Sequence, residues 1–335
     1  MNKGRIQWID HVKGFAIICM VISHSIAGYD NPLKNWITAF NMPLFFFVSG
    51  LLAKEYEQSD LSGYLKKKIL TVGIPYFVFC TLYLIFMAGL SLISGTEMSQ
   101  ILSEFIAGIK DMVFMNGVQS MWYLPVYFFS SLIFDFIVNR KRIRTFQPVI
   151  ACVLIIVLLL MNRFMVLNSP LRLAGKVMAA IVFMISANLL KPFIGKIKLF
   201  PALLVLLCIS VTAVLNGFVS VNFEYGHYTV LFFADAIVMS FLICALFCSL
   251  KNSLPIRLNR LLCYFGKNTI VILVSNNLII EILRLLDYKL SGNFFLSSGT
   301  AGCLVFAVII LCLEALIIRL ARGKAGILFG RFARM

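Results

Sequence analysis

Apolar runs of about twenty residues recur along the whole chain, and they constrain its fold more than any other feature. Of the 335 residues, 61% are hydrophobic and only 13% are charged. A run of about twenty apolar residues lets a helix cross the hydrocarbon core of a bilayer, where only helices and closed barrels satisfy all backbone hydrogen bonds. The sequence therefore predicts an all-α integral membrane protein, with a single polytopic domain over residues 1–335.

The positions of the apolar runs predict a bundle of about ten transmembrane helices. Their approximate bounds are 14–30, 38–53, 69–93, 121–138, 148–167, 172–190, 199–219, 228–249, 261–283 and 299–318. Charge at the start of the first run argues against a removable signal peptide. The longest connection, residues 94–120, is predicted to be external and to hold an amphipathic helix.

Basic residues account for the net charge of +16, and their placement explains it. About 23 of the 30 Lys and Arg residues fall in the segments that share one side of the membrane with the N-terminus. Cytoplasmic loops carry such an excess, so both termini are predicted to be cytoplasmic. The charge thus indicates orientation in a cell membrane, and nucleic acid is not expected as a partner.

The nine cysteines are scattered singly, nearly all within the predicted helices. Their spacing is not that of a metal site, so they are interpreted as small buried hydrophobic residues. The sequence predicts neither a metal nor a tightly bound cofactor.

Asp10, Lys13 and His24 interrupt the first apolar run. Ionisable side chains are costly in hydrocarbon, so within a membrane span they are functional candidates. At about 100° per residue, Lys13 and His24 lie within roughly 20° of each other, and Asp10 within roughly 40° of His24. The three are predicted to share one stripe, with His24 ~16 Å deeper than Lys13 and near the bilayer midplane.

Three further clusters could contact a substrate. Phe45–Phe47 precede Ser49 and Gly50, which suggests an aromatic wall beside a close helix contact. Lys66–Lys68 precede a helix start, where ammonium groups and backbone amides attract phosphates, although lysines there also serve as topological anchors. Trp122 and Tyr123 open the fourth span, at an interface where such residues are common.

Other ionisable residues within the spans are interpreted mainly as structural ion pairs or as side chains at helix ends. These residues are Asp135, Asp235, Glu281 and Glu314, together with Lys176 and Arg284.

Several of these motifs together resemble the membrane acyltransferase-3 family. They are Asp10 with Lys13-Gly14 and His24, the MPLFFFVSGLL run at 42–52, the basic segment leading into Pro75-Tyr76, MWYL at 121–124, and Gly266-Lys267-Asn268-Thr269. Within that family the chain is similar to small ten-span sugar O-acetyltransferases of the fucose 4-O-acetylase branch. The family likeness also implies a bacterial inner or plasma membrane.

The resemblance implies transfer of an acetyl group from cytoplasmic acetyl-CoA to a sugar hydroxyl of a surface polysaccharide or lipid-linked glycan precursor. His24 matches the essential histidine of the family, and Lys13 matches its basic partner. The aromatic Ser-Gly motif of the family corresponds to Phe46, Phe47, Ser49 and Gly50.

Two positions depart from the family pattern. Where relatives often have two arginines in the basic segment, this chain has Lys68 and Thr71. Where many relatives have a histidine in the ninth span, it has Ser275, Asn276 and Asn277. A mechanism with two histidines is therefore not expected.

A hypothesis for the reaction assigns His24 as the general base on the acceptor hydroxyl, a role that suits imidazole near neutral pH. Acetylation of His24 itself is a second route. Lys13 would guide the anionic donor or stabilise charge, and Asp10 would orient Lys13. The donor phosphates would contact Lys66, Lys67 and Lys68, and the substrate pocket would include Phe46, Phe47, Ser49, Trp122 and Tyr123.

Two other classes of protein remain open on the residues alone. A transporter or flippase for a sugar-linked lipid would use His24, Glu281 and Glu314 as proton-relay groups. The chain has no evident internal repeat and no matching pair of broken spans, which transporters often have. A membrane subunit without activity would leave the Asp10, Lys13 and His24 stripe unexplained.

Overall fold

The computed structural model describes residues 6–26, 28, 31–53, 61–164, 169–291 and 299–321. The described chain is mainly helical, and its strands form a two-stranded antiparallel hairpin of β1 (Val219–Ser220) and β2 (Glu224–Tyr225). The α-helices are α1 (Gln7–Ser25), α2 (Pro32–Leu51), α3 (Leu61–Lys68), α4 (Ile74–Ile93), α5 (Met98–Val113), α6 (Tyr123–Asn139), α7 (Lys141–Thr145), α8 (Gln147–Phe164), α9 (Ser169–Leu190), α10 (Leu199–Leu215), α11 (Thr229–Ser249), α12 (Ile256–Gly266), α13 (Thr269–Ser291) and α14 (Gly299–Leu320).

Seven helices in the described chain are long and apolar enough to cross a membrane. They are Ser62–Ile93, Gln119–Asn139, Gln147–Phe164, Pro170–Lys196, Thr229–Ser249, Thr269–Leu290 and Gly299–Leu320. This confirms an all-α membrane protein. The helix α10 is apolar but has 17 residues, and α1 and α2 are more polar than the seven, so the number ten stays a prediction.

The side of the membrane on which each terminus lies also stays a prediction. Several of the basic residues counted for it lie outside the described residues, namely Lys3, Arg5, Lys54, Arg322, Lys324, Arg331 and Arg334.

The helix α1, which carries Asp10, Lys13 and His24, lies inside the bundle. It packs against α2, α11, α12, α13 and α14, and 12 of its 19 residues are buried. By contrast, only Gln147, Leu158 and Met161 are buried among the 18 residues of α8, whose other side chains are mostly leucine, isoleucine and valine. Apolar helices of this kind can face lipid, whereas polar groups need protein or a cavity around them.

Two glycines allow α1 and α12 to approach closely. A Cβ atom added to Gly14 would overlap the backbone of Leu262, and one added to Gly266 would overlap the backbone of Asp10. Small residues of this kind let helix backbones touch in membrane proteins, where burial of apolar surface does not drive helices together. The Lys13-Gly14 and Gly266-Lys267 motifs therefore each contain a packing residue.

The first helix begins and ends earlier than the sequence indicated. It runs from Gln7 to Ser25 rather than over about 14–30, so His24 lies in its last turn and not near its middle. The chain leaves the helix at Ile26, whose backbone is extended, and turns through Gly28 at a positive φ of 74°. Asn31 then caps α2 by accepting hydrogen bonds from the backbone of Leu33 and Lys34.

A π-helical turn, Ile69–Gly73, joins α3 to α4. The Ile74 backbone N–H bonds to Ile69 O, five residues back, and Pro75 follows directly. Proline has no N–H to bond to the carbonyl four residues earlier, which favours a wider turn at this point. The turn places Val72 inside the bundle while Lys66 and Lys67, just before it, stay exposed.

The connection predicted to hold an amphipathic helix contains α5, which packs against α4. Only Ile101 of its residues is buried.

Substitution of Gly14 or Gly266 by Ala should destabilise the protein by about 1–3 kcal/mol, because the new methyl group would separate α1 from α12. Apparent melting temperature in detergent is the measurement. Gly89→Ala is the matched control, since no heavy atom of the described residues lies within 4 Å of a Cβ added there. If Gly14→Ala and Gly266→Ala melt no lower than Gly89→Ala, the close contact is not a determinant of stability.

Candidate active site

His24 lies in the wall of a cavity of about 740 Å³, called here the larger cavity. Its wall combines residues of α1, α2 and α13 with the Gln119–Trp122 turn and the β1–β2 hairpin. Charged and polar side chains in the wall include Lys34, Asn41, Gln119, Glu224, Asn277, Glu281 and Arg284. The cavity is thus a polar chamber, and Trp122 supplies an aromatic face.

A second cavity of about 120 Å³, called here the smaller cavity, contains Lys13 in its wall. The rest of its lining is mainly apolar and aromatic: Ile17, Met42, Phe45, Val72, Tyr123, Leu124, Tyr127, Ile270 and Leu273, with the hydroxyls of Ser49 and Thr269. It is therefore a narrow apolar space with a lysine at its edge.

The two cavities lie end to end along the same helix faces. Lys13 and Ile17 face the smaller cavity, and Met20 and His24 continue the same face of α1 into the larger one. The residues are three or four apart, which keeps them on one side of a helix. The rise from Lys13 to His24 is ~16 Å along the axis.

Helices α2 and α13 repeat this arrangement. On α2, Lys34, Thr38 and Asn41 line the larger cavity, and Phe45 and Ser49 line the smaller one.

On α13, Thr269 and Ile270 line the smaller cavity, and Asn277, Glu281 and Arg284 line the larger one. Met42 and Leu273 belong to both walls, so they mark the boundary between the two spaces. The two adjacent cavities therefore form an interrupted path along α1, α2 and α13.

The imidazole of His24 is held from α13. Its Nδ1 atom lies 2.9 Å from Nδ2 of Asn276, and the Arg284 guanidinium donates to the backbone carbonyl of His24 at 3.4 Å. Glu281 and Arg284 form an ion pair at 4.0 Å.

The side chain of Lys34 stabilises the turn that follows His24. Lys34 Nζ donates to Ile26 O at 3.1 Å and to Gly28 O at 2.5 Å. Asn276 thus contacts the ring of His24, while Arg284 and Lys34 bond to the backbone at the end of α1.

Of the three residues predicted to share one stripe, Lys13 and His24 line cavities and Asp10 does not. Lys13 and His24 face the two cavities, as their eleven-residue spacing indicated. Asp10 is buried against α12, where its backbone lies close to Gly266, and it is part of neither cavity wall.

The predicted aromatic wall also differs in its members. Phe46 and Phe47 are fully buried and line neither cavity, whereas their neighbour Phe45 lines the smaller one. Phe46 packs against Tyr123, which lines the smaller cavity, and the centroids of the two rings are 5.0 Å apart. The side chains of consecutive helical residues point in different directions, so three adjacent phenylalanines cannot face one cavity.

Trp122 and Tyr123 face different cavities. Trp122 lines the larger one, and Tyr123 lines the smaller one together with Ser49. The rings of Tyr123 and Tyr127 stack with their centroids 5.9 Å apart, which extends the aromatic wall along α6.

The three lysines of the basic segment have different environments. Lys66 and Lys67 are exposed. Lys68 turns inward, where it donates to the Ser131 hydroxyl and lies 4.6 Å from the ring centroid of Tyr127. Because Tyr127 also lines the smaller cavity, Lys68 is the one of the three that lies beside that space.

The remaining ionisable residues of the bundle mostly bond to hydroxyl groups. Asp235 accepts from Thr212 at 3.0 Å, Glu314 accepts from Ser275 at 2.6 Å, and Asp135 accepts from Tyr64. Lys176 lies 5.4 Å from the ring centroid of Trp122. Within the described part of the chain, no cluster of His, Cys, Asp or Glu side chains is arranged to hold a metal ion.

Several wall residues were not singled out as site residues from the sequence. Lys34, Gln119 and Glu224 sit at element ends or in connections, where nothing in the local pattern distinguishes them. Asn277, Glu281 and Arg284 did carry a signal, because they are spaced as i, i+4 and i+7 on a mainly apolar helix and so form a polar stripe.

Together the fold and the site define a polytopic membrane protein with a histidine on an interrupted path through its helices. A family model described as an acyltransferase domain, that of the acyltransferase-3 family, matches residues 6–316. The chain belongs to this family of membrane acyltransferases. No match was found among curated proteins, and none among solved structures.

If the two cavities open to opposite sides of the membrane, single cysteines in their walls should react with an impermeant maleimide from opposite sides. The pair is Asn277→Cys and Ser49→Cys, in a background where the exposed Cys152, Cys208 and Cys312 are replaced by alanine. In intact cells we expect labelling at position 277, and at position 49 only after permeabilisation. Labelling of both positions in intact cells would contradict the opposite openings.

Proposed function

We propose that the protein transfers an acetyl group from cytoplasmic acetyl-CoA to a sugar hydroxyl of a cell-surface polysaccharide or lipid-linked glycan precursor. Family membership supports acyl transfer in general. The observation that carries the proposal is the position of His24, in a polar chamber that continues a narrow apolar space beside Lys13 and Lys68. Acetyl-CoA is a substrate here, not a bound cofactor.

The smaller cavity suits the thioester arm of the donor. Its apolar and aromatic walls fit a thin chain better than a ring that carries several hydroxyls, and a donor arm that fills the space would limit the access of water to the thioester. Lys68 beside Tyr127, with exposed Lys66 and Lys67 a turn earlier, offers positive charge to the donor phosphates. Lys13 would then lie beside the arm rather than at the phosphates.

The larger cavity suits the acceptor. Its volume of about 740 Å³ falls in the range of small-molecule sites, about 300–1,000 Å³. Its walls offer charged groups of both signs, amides and one indole, which can bond to sugar hydroxyls and pack on an apolar ring face.

The proposed reaction is a single displacement. His24 Nε2 takes the proton of the acceptor hydroxyl as that oxygen attacks the thioester carbonyl carbon. The carbon–sulfur bond then breaks, the CoA thiolate takes the proton from the imidazolium, and the products are the acetyl ester and free CoA. The negative charge that develops on the carbonyl oxygen needs nearby donors. Lys13 and Asn277 stand on the two sides of the boundary and are candidates for this role.

His24→Ala should reduce acetyl transfer by at least about 100-fold, because general-base catalysis contributes about 10²–10⁴-fold. The measurement is capture of radiolabelled acetyl by lipid-linked and polymeric glycans, with release of CoA thiol, in membranes that contain equal amounts of protein. His227→Ala is the control, since His227 is exposed and lies outside both cavity walls. We expect its transfer rate to equal that of the wild type.

Equal transfer by the wild type and His24→Ala would exclude His24 as the base. No transfer by the wild type across a range of glycan acceptors would favour the transporter alternative, in which His24, Glu281 and Glu314 relay protons. The observation that favours that alternative is the same interrupted path, since a transporter also needs a route through the bundle. Proton-coupled flux of a sugar-linked lipid would then be the decisive measurement.

Replacement of Lys66, Lys67 and Lys68 by Ala should raise the KM for acetyl-CoA with a smaller effect on kcat, since a phosphate clamp acts mainly on binding. Lys68→Ala alone should account for most of the change, because only Lys68 lies beside the smaller cavity. The exposed lysines Lys196 and Lys198 provide a matched double-alanine control. An unchanged KM in the triple variant would exclude these lysines as the donor clamp.

A further inference from the structure

The contact between His24 and Asn276 selects one tautomer of the imidazole. A side-chain amide presents a donor nitrogen or an acceptor oxygen to the ring, and the hydrogen-bond network decides which end faces it. If the nitrogen faces Nδ1, the neutral ring carries its proton on Nε2 and cannot accept another there. If the oxygen faces Nδ1–H, Nε2 has a free electron pair.

We propose that Asn276 is a positioning residue for His24: its amide oxygen accepts the Nδ1–H and leaves Nε2 free to receive the acceptor proton. This inference rests on the proposed function and adds to it the residue that makes His24 a base. The observations that carry it are the 2.9 Å contact of the two side chains and the complete burial of Asn276.

The need for an acceptor becomes stronger during the reaction. When Nε2 takes a proton, the ring becomes an imidazolium with an N–H at both nitrogens. An amide nitrogen facing Nδ1–H would then place two donors against each other, whereas an amide oxygen forms a charge-assisted hydrogen bond. In the structure, Asn276 Oδ1 has no hydrogen-bond partner among the described residues. Exchanging the amide oxygen and nitrogen by a 180° rotation gives this oxygen the ring N–H as a partner, and the amide nitrogen then takes the place of the oxygen.

The support of Asn276 is rigid. The hydroxyl oxygen of its neighbour Ser275 lies 2.6 Å from Oε2 of Glu314 on α14 and 2.8 Å from the Val271 carbonyl oxygen. Helix α13 packs against both α1 and α14, so the amide and the imidazole sit on packed helices and not on loops. A positioning group on a packed helix can fix a ring orientation that a loop residue would leave variable.

Other charged groups line the larger cavity with His24 or lie next to Asn276 and its neighbour, and Lys34 and Arg284 act on His24 through their charge. They are Lys34 from α2, Glu281 and Arg284 from α13, Glu224 from the hairpin, and Glu314 behind Ser275 on α14. A pH profile of a single variant would mix their effects with that of Asn276. The test therefore compares two substitutions at the same position, with these groups unchanged.

The experiment measures acetyl transfer by Asn276→Ala and Asn276→Asp in membranes, as a function of acetyl-CoA concentration and pH. Asn276→Ala removes the acceptor, and we expect kcat to fall about 10- to 100-fold, the size expected for a misplaced catalytic group, with KM for acetyl-CoA within about twofold of the wild type. Asn276→Asp can only accept at Nδ1, so it should restore most of kcat. Its carboxylate favours the imidazolium, so the acidic limb of the kcat/KM profile should move to higher pH.

The matched control is Asn188→Ala, which removes an asparagine amide that bonds to Gln147 Oε1 at 3.0 Å between α9 and α8. It should transfer at the wild-type rate. The melting temperatures of the Asn276 variants in detergent establish that they are folded.

The possible negative results distinguish the positioning role of Asn276, the assigned tautomer and the proposed function. If Asn276→Ala transfers within about twofold of the wild type while His24→Ala is inactive, Asn276 does not position the base and the proposed function stands. If folded Asn276→Asp is as inactive as Asn276→Ala, the ring needs a donor at Nδ1, and the tautomer assigned here is wrong. Absence of transfer by the wild type overturns the proposed function, and this inference with it.

Discussion

The arrangement of the whole bundle depends on the need to enclose a polar helix within a membrane. Helix α1 carries Asp10, Lys13 and His24, and no lipid-facing position could accommodate them without a large free-energy cost. The structure surrounds α1 with five other helices and leaves two cavities along one of its faces. Helices such as α8, with few buried residues, can then occupy the periphery. The polar residues thus determine which helices are central.

The sequence motifs combine two physical roles in adjacent residues. Gly14 allows close contact with α12, and Lys13 faces the smaller cavity. In the same way, a Cβ at Gly50 would overlap the backbone of Met184 on α9, and Ser49 faces the smaller cavity. Adjacent residues of a helix point about 100° apart, so one can pack against a neighbouring helix while the next faces a cavity. Each motif therefore fixes a helix contact and a site residue together.

The sequence predicted well what depends on local pattern. Apolar runs indicated the membrane helices, and the eleven-residue spacing indicated that Lys13 and His24 share a face. It predicted poorly what depends on helix rotation and on distant contacts. The aromatic run could not show that Phe45, rather than Phe46 or Phe47, lines a cavity. In the sequence, Asn276 stands out only as a departure from the family pattern, since its contact with His24 spans 252 positions.

In the proposed reaction, the boundary at Met42 and Leu273 separates the donor in the smaller cavity from the acceptor in the larger one. A thioester is also hydrolysed by water, so a transferase gains from keeping water away from the donor until an acceptor is present. The smaller cavity is apolar, and the two side chains at the boundary separate it from the polar chamber. The unbranched side chain of Met42 is flexible enough to change rotamer when the donor arm extends past it. His24 stands on the polar side of this boundary, where an acceptor hydroxyl can reach it. The reacting groups would then meet at the boundary, with a base on one side and a dry donor channel on the other.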